Sequence, residues 1–109
     1  MCTLKSFQGR NRVSLRSLSI TTRDEALRVK SAKERCDMIQ RGVLLAKEAV
    51  AHDFDDGASW VILANAHFSE FFNVAQNPLV LKSALKAYDF AVSNIFYILL
   101  IHNLYVNNV

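Results

Sequence analysis

Three arginines, Arg12, Arg16 and Arg23, stand four and eleven residues along from the first, a spacing that puts them on one face of an α-helix. Guanidinium groups pair bidentately with carboxylates and phosphates, so this row suits an acidic peptide or a nucleic-acid backbone. It would serve equally as a solvated or internally paired helix face. Asn65, between Val61 and Phe68, is a second candidate. An amide both donates and accepts, so it can hold a peptide backbone without reading its side chains, or it can bond within its helix or to a neighbour. Catalytic chemistry has no comparable support. His52, His67 and His102 fall in three separate segments, none at zinc-ligand spacing from Cys2 or Cys36, and no Ser-His-Asp arrangement stands out. His67 reads as a packed, hydrogen-bonded core histidine. Asp53, Asp55 and Asp56 lack the terminal Glu of a calcium loop and read as helix caps, and there is no Gly-rich phosphate loop. No catalytic residue, metal or cofactor is expected, and the chain is expected not to be an enzyme.

The elements that carry these residues follow from composition. The chain has 109 residues, 51% hydrophobic and 21% charged, with three glycines and one proline. So little punctuation points to one small domain of a few long helices. The net charge of +3 hides an asymmetry: residues 1–50 hold eleven Lys/Arg against five Asp/Glu, and residues 51–109 hold two against five. A basic first half can meet RNA, a ribosome surface or an acidic peptide, or can be a solvated face. Two cysteines make no disulfide framework, and both read as reduced thiols, consistent with cytoplasm or nucleus. No signal peptide is visible. The run from Ile95 to Ile101 is apolar, but a bilayer span needs about 20 such residues, so no membrane partner is expected.

Residues 1–8 read as a disordered lead-in. A short helix is expected from Gly9 to about Arg23, weakened at its β-branched end Ile20-Thr21-Thr22, with a connector or frayed turn over 22–30, where the charges are mixed. A second runs from about Ser31 to Ala51, where Ser31-x-x-Glu34 has the capping-box form. A third, capped by Asp55 or Asp56, runs from Gly57 to Phe72, and a fourth from Pro78 to about Ser93 or on into the apolar tail. On the third, Trp60, Leu63, Ala64 and His67 share one face. Ala58, Val61, Asn65, Phe68 and Phe72 share another, the face that lines the concave groove when helical repeats stack.

The phasing of small and large residues is repetitive. Trp60-x-x-Leu63-Ala64-x-x-His67 is followed by Ala84-x-x-x-Tyr88-x-x-Ala91, and the second pattern occurs earlier as Gly42-x-x-x-Ala46-x-x-Ala49. From Gly42 to Ala84 is 42 residues, against about 34 in a tetratricopeptide repeat; an insertion over 71–78 would hold the excess. The chain thus resembles the tetratricopeptide-repeat family. Asn11-Arg12-Val13-Ser14-Leu15-x-x-Leu18-Ser19-Ile20, Asp56-Gly57-x-Ser59-Trp60-x-Ile62-Leu63-x-Asn65-Ala66, Phe72-Asn73, Gln76-Asn77-Pro78 and Ala84-Leu85-x-Ala87-Tyr88 carry a closer resemblance to the central repeats of one branch of it. The expected fold is all-α, helical hairpins stacked as part of a right-handed superhelix over residues 9–93, about two helix pairs.

The resemblance implies a scaffold for protein-protein interaction that takes short peptides in its concave groove, and an arginine at the place of Arg23. For that branch it implies two roles: assembly of transcriptional co-activators in stress responses, and recognition of nascent tubulin at the ribosome, which triggers decay of tubulin messenger RNA. It also implies a cytoplasmic and nuclear location. The alternative from the charge pattern is an RNA- or ribosome-contacting helical module using the basic N-terminal half. The chain departs from the branch in lacking its earlier repeats and its C-terminal oligonucleotide/oligosaccharide-binding fold. After about Val92, apolar and Asn residues replace a charged linker, so 94–109 is expected to be a tail foreign to the family. An AT-rich intron or a change of frame would encode such a tail, and the chain is expected to be a fragment.

Overall fold

Asn11 opens the first helix: its side-chain oxygen accepts from the Ser14 N–H at 2.9 Å, satisfying one of the donors a helix start leaves free. The computed structural model describes residues 11–107, so the lead-in over 1–8 and Cys2 lie outside the described residues. Helix α1 spans Arg12–Ala26. It ends three residues past the expected Arg23 and runs through the β-branched triplet, which shortens the connector to residues 27–31. Two local facts explain this. The Thr21 hydroxyl donates to the Ser17 carbonyl at 2.9 Å, and Ala26 is completely buried, so tertiary packing outweighs a weak propensity.

Helix α2 spans Ala32–His52, with the Ser31 hydroxyl accepting from the Glu34 N–H at 3.3 Å. Its buried residues, Ile39, Gly42, Val43, Leu45, Ala46, Ala49 and Val50, recur at three- and four-residue intervals. Helix α3 spans Gly57–Asn73 after Asp56. Helix α4 spans Pro78–Asn107; Asn77 precedes it and accepts from the Leu79 N–H at 2.9 Å, and Pro78 fits a first helical position, which has no intrahelical acceptor to bond.

The four helices form two hairpins, α1 with α2 and α3 with α4, stacked through α2 on α3 with α1 also touching α3. This is a tetratricopeptide-like all-α fold. Leu15, Leu45 and Ala49 make one small core within the first hairpin. Val43, Ala46, Val50, Leu63, Ala64, Ala66 and Ala87 make a second that joins the hairpins. Alanines dominate because short side chains let helix axes approach closely. Of the remaining repeat positions, Gly42, His67, Ala84 and Ala91 are buried, whereas Trp60 and Tyr88 are half-buried and pack on the core from its edge. Trp60 is held there by its indole N–H, which donates to the Phe54 carbonyl at 2.8 Å, and by stacking on Phe90 at 4.7 Å.

Among the described residues, α3 is the only helix that α4 packs on. By length and composition it could cross a bilayer between Pro78 and Asn103, a longer stretch than the Ile95–Ile101 run suggested. Its first half is a hairpin helix, with Ala84, Ala87 and Ala91 buried on α3 and Lys82, Lys86 and Asp89 along it. Beyond Ile95, which together with Asn94 meets Gly57 at the start of α3, the side chains of Phe96, Ile98, Leu99, Leu100 and Ile101 are exposed. A chain ending after Ile95 is therefore expected to keep its melting temperature within about 2 °C and to stay soluble at higher concentration. A drop of 8 °C or more on truncation would show that the distal helix supports the fold.

Candidate peptide-binding face

The arginine row of α1 divides. Arg16 donates to the Asp56 carboxylate at 2.7 Å, and Arg12 pairs with the same carboxylate at 3.1 Å and with Asp53 at 3.7 Å. Asp56 also accepts from the fully buried Ser59 hydroxyl at 2.7 Å. Its charge sits at the N-terminal end of α3, where the helix dipole favours an anion. Two of the three arginines are thereby occupied in fastening the start of α1 to the start of α3. Asp53 closes the same turn, accepting from the Asp55 N–H at 3.0 Å.

Arg23 differs in kind. It lies in the last turn of α1, and its stem crosses Gly42: a Cβ at that glycine would lie 2.7 Å from the Arg23 Cγ. The Arg23 Nε is buried with no hydrogen-bond partner, and the guanidinium makes no ion pair among the described residues. Burial lowers its pKa from the ordinary arginine value, with Asp24 and Tyr88 opposing. The group still carries its charge at physiological pH, so a partly desolvated cation stands at this face with its Nε donor unused.

Asn65, on α3, accepts a hydrogen bond at its amide oxygen from the Tyr88 hydroxyl of α4. Its amide nitrogen has no partner among the described residues. Phe68 tilts against the Tyr88 ring at 5.4 Å, and Val61, Asn65 and Phe68 are all half-buried. The structure thus brings Asn65 and Phe68 together at Tyr88, lays Arg23 across Gly42 and sends Arg12 and Arg16 to Asp56. Tyr88 is the residue that spacing alone misses, since its position in the repeat reads as core. The available signal is that a half-buried phenol needs a hydrogen-bond partner.

Elsewhere, Phe54, Asp55, Trp60, Phe90, Ser93 and Asn94 line an open cleft of about 540 Å³. His67 is buried and bonds Glu70 at 3.1 Å, and the Cys36 thiol donates to the Asn73 carbonyl at 3.7 Å. Among the described residues no three His, Cys, Asp or Glu side chains gather as metal ligands.

No family model matches the chain. Curated relatives do: it is 44% identical over 79 residues to tetratricopeptide repeat protein 5 from Bos taurus, 43% to that from Mus musculus and 42% to that from Homo sapiens. Each match covers 72% of this chain and 18% of the relative, so the chain spans about a fifth of the length of the proteins it matches.

Proposed function

From a chain similar to tetratricopeptide repeat protein 5 and folded as stacked tetratricopeptide-like hairpins, we propose a non-catalytic protein-interaction module that binds a short peptide on the face of Arg23, Asn65 and Phe68. The observation that carries this reading is the half-buried side chain of Arg23, whose Nε is buried without a hydrogen-bond partner among the described residues. A charge held away from water without a partner is costly unless a ligand supplies the anion. Val61 and Phe68 add apolar surface on the same helix as Asn65, so the proposed ligand is an extended segment with an acidic residue next to an apolar one.

The resemblance suggests the acidic amino terminus of nascent tubulin as such a segment, and transcriptional co-activators as further partners, in cytoplasm and nucleus. Phosphate contact through the basic first half draws on the same arginines. Arg12 and Arg16 are less suited to it than their spacing implies, because Asp56 and Asp53 already pair with them.

Two helix pairs offer a short groove, so affinity near millimolar is expected, about −4 kcal/mol. In a titration with a labelled tubulin amino-terminal peptide, Arg23→Ala should weaken binding by about 1.5–3 kcal/mol, at least tenfold. Asn65→Ala should weaken it less, and Arg12→Ala hardly at all. Raising salt should reduce affinity only modestly, whereas phosphate-backbone binding falls steeply. Equal affinity in wild type, Arg23→Ala and Asn65→Ala would remove this face from the account.

A further inference from the structure

The turn between the two hairpins carries three carboxylates, and the arginines of α1 take only two of them. Arg12 and Arg16 pair with Asp53 and Asp56. Asp55 lends its backbone N–H to the turn, while its side chain is exposed and makes no ion pair among the described residues. That carboxylate stands at the open cleft of about 540 Å³ between this turn, Trp60 of α3 and the later turns of α4. The other walls are mostly aromatic. Trp60 stacks on Phe90 with ring centroids 4.7 Å apart, and Phe54 tilts against Trp60 at 6.4 Å. Ser93 and Asn94 complete the α4 side. The Asn94 Oδ1 is buried near Gly57 and accepts no hydrogen bond among the described residues. Neither Lys82 nor Lys86, the two basic residues after position 50, lines the cleft.

The walls favour one kind of occupant. A carboxylate attracts a cation directly, and the face of an aromatic ring carries negative potential that attracts one as well. A purely apolar occupant would strip water from Asp55 and give it no partner, and an anion would be repelled. Packing within the chain does not account for the arrangement, since Phe54 and Phe90 remain 67% and 47% exposed.

We propose that this cleft is a binding site for an organic cation, an ammonium or guanidinium group on a short apolar stem. The charged head pairs with Asp55 beside the ring of Phe54, and the stem covers Trp60 and Phe90. Asn94 gives up no hydrogen bond at Oδ1 when its amide turns to meet a ligand N–H. A basic side chain of another protein and a small free amine both supply this chemistry. The cleft shares no residue with the face of Arg23, Asn65 and Phe68, so the two readings are tested separately.

Trp60 is the one tryptophan of the chain, so its emission and its indole N–H signal in the ¹⁵N spectrum report on the cleft directly. The full chain is titrated with N-acetyl-arginine amide, N-acetyl-lysine amide, choline and the neutral N-acetyl-citrulline amide, with sodium chloride holding ionic strength constant. At least one cation should bind about fivefold or more tighter than the citrulline derivative, as a cation–π contact joined to an exposed ion pair allows. Tightest binding by an amino-acid derivative identifies a side chain as the source, and tightest binding by choline a small amine.

Two variants place the effect. Asp55→Asn keeps the N–H that the turn uses and removes the charge, so the preference should fall to about twofold or less. Phe54→Leu keeps apolar bulk and removes a ring face, so cation affinity should fall by about twofold or more while that of the citrulline derivative is unchanged. Neither side chain is buried, so both variants keep the fold. Three results would overturn the proposal: equal binding of charged and neutral derivatives, no response of either Trp60 signal to any cation up to about 50 mM, or a preference unaffected by either substitution.

Discussion

Leu15→Ala is expected to destabilise the chain by about 2–5 kcal/mol, the range for emptying a fully buried leucine site. Leu15 is completely buried, and with Leu45 and Ala49 it forms the core of the first hairpin. Its neighbours cannot close over the cavity, since alanines have no reach and Leu45 is already packed. Leu15 and Ile39 are the two apolar residues among the largest fully buried side chains, the others being Ser19 and Ser59. A domain of this size is stable by roughly 5–15 kcal/mol, so the substitution removes a large share of the total. Urea unfolding followed by circular dichroism reads the effect as a fall in midpoint at unchanged slope. A cost below about 1 kcal/mol would place Leu15 outside the core.

Asp56→Ala is expected to cost about 2–3 kcal/mol, from hydrogen bonds to a charged group and the favourable charge at a helix start. Asp56 holds Arg16, Arg12 and Ser59 together, and its removal leaves the buried Ser59 hydroxyl and the partly buried Arg16 without their acceptor. The more exposed partner is the internal control: Arg12→Ala should cost between about 0 and 1 kcal/mol, as surface ion pairs do. Asp56→Asn keeps an acceptor for Ser59 and loses the charge, so it should fall between the two. If Asp56→Ala costs no more than Arg12→Ala in the same unfolding experiment, this carboxylate does not join the hairpins.

These two residues also show where a sequence is readable and where it is not. Leu15 stands among Val13, Leu18 and Ile20, which are all exposed, so helix periodicity alone does not mark it as the buried one. Helices α2 and α3 are legible almost to the residue because Ser31, Asp56 and the Asp-rich turn punctuate them. The ends of α1 and α4 are not, because local propensity loses to packing at Ala26, and because no Gly or Pro halts α4 after Ser93. For the site, spacing places Arg12, Arg16 and Arg23 on one face of a helix but does not identify what lies opposite. Asp56 is 40 residues from Arg16, and Tyr88 is 23 from Asn65. Only the stacking of the hairpins separates two arginines with a carboxylate beneath them from one without. Periodicity likewise finds the ring of Tyr88 and is silent on the direction of its hydroxyl.

Because α3 is the only helix that α4 packs on among the described residues, the chain is expected to open from that end. A helix held by one neighbour can detach while α1, α2 and α3 keep all their mutual contacts, and nearest-neighbour stacks unfold in such steps. Amide hydrogens of α4 around Ala84–Ala91 should then exchange with solvent deuterium through a partial opening, well before those around Ile39–Ala49 in α2, which must await global unfolding. Each such opening also parts Tyr88 from Asn65, so the exchange rate of α4 measures how long the face near Arg23 stays assembled.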